Sequence, residues 1–196
     1  MEIKNINEHF KYYLENETQF ISSNRYIYVS KRCKTAYSFV YSNLLMNICS
    51  DFESLVRAYF DLENDEPMEI NEIIEQISKD DNLKKVFDEK VSFESSDYGE
   101  FQPLNIVENR KTDKKSFKWW SAYNMIKHNK VAKIFHANQE NVLNALGALY
   151  VLNRYVLFIN ADECHSDVFA NDNHCFSLKD LKCRDISAGG IIFSSR

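Results

Sequence analysis

Residues Val142 to Ile159 read VLNALGALYVLNRYVLFI. As a helix this stretch would be apolar on nearly every side, and such a helix belongs at the centre of a bundle. It is 18 residues long, but Asn144, Asn153 and Arg154 interrupt it, and its longest unbroken apolar or glycine run, Ala145 to Leu152, is eight residues. A membrane span needs roughly 20 predominantly apolar residues. The stretch is therefore expected to form a buried core helix near 139–160, with no membrane as partner.

Outward from that helix, the chain keeps helical periodicity. Ile3, Ile6, Phe10, Tyr13, Leu14 and Phe20 predict a first helix near 3–20. Tyr37, Val40, Tyr41, Leu44, Leu45, Ile48, Phe52, Leu55, Val56 and Tyr59 predict a second, near 27 residues long, with Thr35 as N-cap. Pro67 suits the first turn of a third, carrying Ile70, Ile73, Ile74 and Ile77. Asp80 or Asp81 is placed to cap a short helix with Leu83, Val86 and Phe87. Residues 24–30 read as a short extended segment or structured loop, and 91–113 as a long connection. A further helix is expected near 116–130.

Only four Gly and two Pro occur in 196 residues, which argues against many short strands. The predicted fold is all-α: a helical bundle with long antiparallel helices in one domain over 1–160. Residues 161–196 form a less regular extension packed on the same domain, with a short helix at Leu178 to Cys183 and a strand near Gly189 to Phe193.

The N-terminus has no apolar run, so no signal peptide is expected. Five cysteines, at 33, 49, 164, 175 and 183, lack close pairing. They read as free thiols of a cytoplasmic protein. Cys164-His165, His174-Cys175 and Cys183 offer no Cys-x-x-Cys or His-x-x-x-His spacing, so no metal or other cofactor is expected. The chain has no phosphate-binding glycine loop, no Gly-x-Ser-x-Gly elbow and no His-Glu-x-x-His.

Charge is uneven. Between Arg110 and Lys133 stand eight basic residues and one acid, Asp113, for +7, against −12 for the remainder and −5 for the whole. An acidic protein with one basic stretch is poorly suited to coating nucleic acid, yet can hold a phosphate backbone at one place.

Within that stretch lies Trp119-Trp120-Ser121-Ala122-Tyr123-Asn124-Met125-Ile126-Lys127-His128. At 100° per residue, Trp119, Ala122, Tyr123 and Ile126 share a core-facing side. Asn124, Lys127 and His128 converge on another, bordered by Trp120 and Phe117. A neutral imidazole can accept a proton from a hydroxyl. An ammonium and an amide can stabilise a phosphate oxyanion. Lys127-His128-Asn129-Lys130 is also an ordinary helix end, a solvated face with cations near its negative pole. Asp51 falls on the apolar row of the second helix. It is placed to orient His128, to pair with Lys127, or to sit in water at the rim. Glu53 and Arg57 read as a surface ion pair on the opposite face.

The run Trp119-Trp120-x-Ala122-Tyr123-Asn124-x-x-Lys127-His128, followed by Ala137-Asn138-x-x-Asn141-Val142-Leu143-Asn144-Ala145-Leu146, resembles the HEPN domains (higher eukaryotes and prokaryotes nucleotide-binding). More closely, it resembles a group of uncharacterised bacterial proteins of that type. The resemblance spans most of residues 20–160. It implies a helical, frequently dimeric protein of defence or toxin systems, with an antitoxin or defence partner. It also implies metal-independent cleavage of RNA at motifs that face each other across two subunits. His128 takes the family histidine position and Asn124 the polar position. Tyr123 stands where the family has arginine, and Lys127, Arg57 or Arg154 would have to supply the missing charge. The implied function is a metal-independent endoribonuclease. The alternative is a nucleotide-binding, RNA-binding or dimerisation module without catalysis.

Overall fold

The computed structural model describes residues 3–62, 68–93, 97–109, 114–160, 176–178, 182–187 and 190–194. The fold is mainly helical. Helix α1 spans Ile3–Ser23, α2 Phe39–Tyr59, α3 Ile70–Lys79, α4 Lys118–His128 and α5 Gln139–Ile159. Short 3-10 turns occupy Lys31–Cys33, Leu83–Asp88 and Ile134–His136.

Helix α5 is the core element. It has 21 residues, about 31 Å at 1.5 Å per residue. By length and composition it could cross a membrane, but 83% of its most apolar window is buried inside the protein. Tyr150 meets Tyr13 of α1 with ring centroids 5.6 Å apart. Asn153, fully enclosed, donates to the Leu149 carbonyl at 2.9 Å, so a polar residue in the apolar run satisfies itself on its own helix. Arg154 is buried too.

Helices α1 and α2 pack on α5. Asn16 of α1 donates to Asp51 of α2, and one turn further along α1, Phe20 stacks on Tyr41 near the start of α2. The contacts thus run in reversed order along the two helices. The apolar row of α2 is buried as its spacing requires, but the helix has 21 residues rather than 27. Its cap is Ser38, whose hydroxyl accepts the Tyr41 N–H at 3.0 Å, and not Thr35. The physical reason is a bridge between Tyr37 and Asn138, which holds Tyr37 outside the helix.

Helix α3 begins at Ile70, with the Glu72 carboxylate accepting the Glu69 N–H at 2.9 Å. Pro67 lies outside the described residues. Asp80, not Asp81, caps the following 3-10 turn, accepting from the Leu83 and Asn82 N–H groups.

The connection 91–113 carries strands. Strands β1 (Val91–Phe93) and β2 (Glu100–Phe101) pair antiparallel, with Val91 opposite Phe101. Strands β3 (Val107–Asn109) and β4 (Lys114–Ser116) form a hairpin just before α4. The tail contributes β5 (Phe176–Leu178), β6 (Lys182–Ser187) and β7 (Gly190–Ser194). Strand β5 joins β1 on the side away from β2, and β6 pairs with β7. Of the helix expected at Leu178 to Cys183, Leu178 instead lies in β5, paired with β1, and Lys182 and Cys183 lie in β6, paired with β7, while residues 179–181 lie outside the described residues. Phe176 packs on Phe93, Phe101 and Tyr150. Sheet and core helix approach closely at Gly147, where a Cβ would lie 3.1 Å from the Phe101 ring.

Candidate functional site

Helix α4 is two-sided. Trp119, Ala122, Tyr123 and Ile126 are buried, as their spacing predicts. The Phe52 ring of α2 receives Trp119 and Trp120 edge-on, at 5.3 and 6.3 Å, and Phe117 at 6.3 Å. The Trp119 indole N–H donates to the Pro103 carbonyl at 2.8 Å, so the large ring is buried with its polar atom satisfied. Phe117, expected beside the polar residues, is instead wholly enclosed and stacks on Trp119. Trp120 is buried as well, but forms part of the floor of a cleft.

That cleft has a volume of about 1040 Å³. Its walls come from four places: Glu53 on α2, residues 68–71 at the start of α3, the β3–β4 hairpin, and α4. Asn124, Lys127 and His128 all line it, and all three are exposed. Residues three and four apart on a helix have Cβ atoms about 5–6 Å apart, so Asn124 is within one turn of both Lys127 and His128. Asn124 and His128 have no hydrogen-bond or ion-pair partner among the described residues. The Lys127 ammonium lies 5.5 Å from the centroid of the Tyr123 ring. Burial raises the Tyr123 hydroxyl pKa above its ordinary value, with Lys127 opposing the shift.

The basic stretch divides. Lys114, Lys115, Lys118 and Lys127 line the cleft. Lys130 instead donates to Asn43 at 2.6 Å, and Lys133 lies over Phe135. Arg110 and Lys111 lie outside the described residues. Three of the four cleft lysines already face carboxylates: Lys114 with Glu69 at 3.3 Å, Lys115 with Glu108 at 3.7 Å, and Lys118 with Glu140 at 2.8 Å. Exposed pairs of this kind contribute only ~0–1 kcal/mol, so an incoming phosphate can displace a carboxylate from its lysine.

Asp51 does not reach His128 or Lys127. Its carboxylate accepts from the Asn16 amide at 2.6 Å, on the α1 side of α2. Burial raises its pKa, and the Asn16 hydrogen bond only partly offsets this. Arg57 and Glu53 are not a surface pair. Both are mostly buried, 3.1 Å apart, and Glu53 also accepts the Met68 N–H, tying α2 to the segment that opens α3. Neither Arg57 nor Arg154 lines the cleft. Among the described residues no cluster of His, Cys, Asp and Glu could hold a metal. Cys164, His165, His174 and Cys175 lie outside them, as does the Cys183 side chain.

Sequence reasoning missed Glu53, Asn71 and the hairpin as cleft walls. Asn71 accepts the Lys115 N–H at 2.8 Å, across 44 positions, and so fixes the hairpin to α3. No local pattern signals such a contact. The site is thus an open cleft in a mainly helical protein, offering an imidazole, an amide and several ammonium groups. Comparisons with family models, curated proteins and solved structures give no match to this chain.

Proposed function

We propose that this protein is a HEPN-like, metal-independent endoribonuclease whose acting form is a homodimer. His128 takes the proton of a ribose 2′-hydroxyl. The freed oxygen attacks the adjacent phosphorus, and the bond to the 5′ oxygen breaks, leaving a cyclic phosphate on one fragment. The departing 5′ oxygen takes its proton from water. Lys127 and the Asn124 amide hold the non-bridging phosphate oxygens while charge builds there. The observation that carries this reading is the convergence of Asn124, Lys127 and His128 on one cleft. Lys127, over the Tyr123 ring, brings a positive charge to the position where the resembled family has arginine. It does so as a point charge and without the bidentate fork.

The test is cleavage of a mixed RNA pool, with chelator present, by wild type and His128→Ala. Cyclic phosphate ends that vanish in the variant support the reading. Cleavage of undiminished rate in the variant sinks it.

A second reading rests on Tyr123 and on the lack of any group that orients His128 among the described residues. In this reading the cleft binds RNA or a nucleotide without turnover. Wild-type protein would then bind RNA without cutting it, and His128→Ala would change affinity alone.

A further inference from the structure

The segment between α1 and α2 is a second charged surface, unlike the cleft. From Thr18 to Ser50 the chain has no Asp or Glu, and it carries Arg25, Lys31, Arg32 and Lys34. All four are exposed, and none forms an ion pair among the described residues. Interleaved with them are large rings in water: Tyr26 at 88% exposure, Phe39 at 73%, Tyr28 at 61% and Tyr37 at 54%.

This is a built surface. Val29 is buried. The fully enclosed Gln139 side chain accepts the Ser30 N–H at 3.1 Å and donates to the Tyr28 carbonyl at 3.0 Å and the Tyr41 hydroxyl at 3.3 Å. The backbone N–H groups of Gln139 and Glu140 donate to the Ala36 and Lys34 carbonyls, at 2.8 and 2.9 Å. The backbone is thus held from within while the rings and cations point outward. A run of exposed rings on a fixed backbone marks an interaction site rather than a packing need. Unpaired cations among stacking rings are the combination that holds single strands, with ammonium and guanidinium groups on the phosphates and rings on the bases.

We infer that the loop 24–39 binds single-stranded RNA, as a docking surface separate from the cleft. Glu140 joins the two places: its carboxylate holds Lys118 at the cleft, and its N–H holds Lys34 of the loop. The loop backbone and one cation of the cleft thus share a single anchoring residue. The choice of RNA over DNA rests on the ribonuclease reading of the cleft.

The experiment is fluorescence anisotropy with a labelled 12-nucleotide poly-uridine RNA. The proteins are wild type, Tyr26→Ala with Tyr28→Ala, Lys31→Gln with Arg32→Gln, and Lys84→Gln. Loss of stacking should weaken binding about 5- to 150-fold per base and leave the salt dependence unchanged. Loss of two cations should flatten the slope of log affinity against log salt by about 1.4. Lys84→Gln, an exposed cation outside both the loop and the cleft, should bind as wild type. All substituted residues are exposed, and circular dichroism melts confirm that each variant folds. Wild-type affinity in both loop variants overturns the proposal. So does tighter binding to duplex RNA, to poly-thymidine DNA or to anionic lipid vesicles. If no cleavage is ever seen but the loop variants lose RNA, only the ribonuclease reading falls. If cleavage occurs and the loop variants bind RNA as wild type does, only the loop proposal falls.

Discussion

Helices α4 and α5 are consecutive, both carry polar residues among apolar ones, and they use them in opposite ways. On α5 the polar groups turn inward. Gln139, Asn141, Asn153 and Arg154 are all buried, and the three amides bond to protein atoms. On α4 they turn outward: Asn124, Lys127 and His128 are exposed to a cleft. A buried amide is explained by the group it satisfies. An exposed amide beside an imidazole, with neither bonded to the protein, is open to a ligand. Residue type alone does not separate the two cases, and burial does.

The comparison can be broken by mutation. The largest effect should come from the inward face of α4 itself. Trp119→Ala removes a fully enclosed ring and orphans the Pro103 carbonyl, and should cost ~3–5 kcal/mol in denaturant unfolding. Next is Gln139→Leu, which leaves the Ser30 N–H and the Tyr28 carbonyl unpaired inside the protein. A loss of ~1–3 kcal/mol is expected, with faster amide exchange across 28–37. Unchanged stability there would mean that the polar groups of α5 are not structural after all.

Asp51 sharpens the contrast through pH. Burial raises its native pKa above the ordinary 3.8. Below that value the carboxyl is protonated in both folded and unfolded chains. As pH rises, the unfolded chain releases its proton first, so stability is lost up to the raised native value and stays lost above it. Asp51→Asn keeps an acceptor for Asn16, so it should raise the melting temperature at pH 7. The gain should vanish below about pH 3.8. A gain that persists in acid would overturn this account. The smallest effects on stability belong to the outward face. Asn124→Ala, Lys127→Ala and His128→Ala should each stay within ~0.5 kcal/mol of wild type. A larger loss in any of them would make that residue structural and remove it from the proposed site.

What could be read in the sequence follows from the range of the forces involved. The apolar row of α2 and the all-round apolar character of α5 are local patterns, and both helices stand where those patterns lie. The convergence of Asn124, Lys127 and His128 follows from one helical period and needs no tertiary knowledge. Contacts between distant residues were not legible. The partner of Asp51 lies 35 positions away on another helix. The start of α2 moves because Tyr37 pairs with Asn138, and the end of the connection becomes a hairpin that Asn71 holds. Leu178, the expected start of a short helix, ends a strand that pairs with β1, a partner more than 80 positions away.

The Gln139 knot also has a consequence in time. It ties residues 28–30 to a side chain 109 to 111 positions later. At 5–20 residues per second, synthesis of the intervening chain takes about 5–20 s. Throughout that interval the loop 24–39 lacks the hydrogen bonds that α5 supplies to Tyr28, Ser30, Lys34 and Ala36. A nascent or truncated chain that stops before α5 would carry every residue of the loop surface without presenting it. Whatever the finished surface binds is withheld from the growing chain until its central helix arrives.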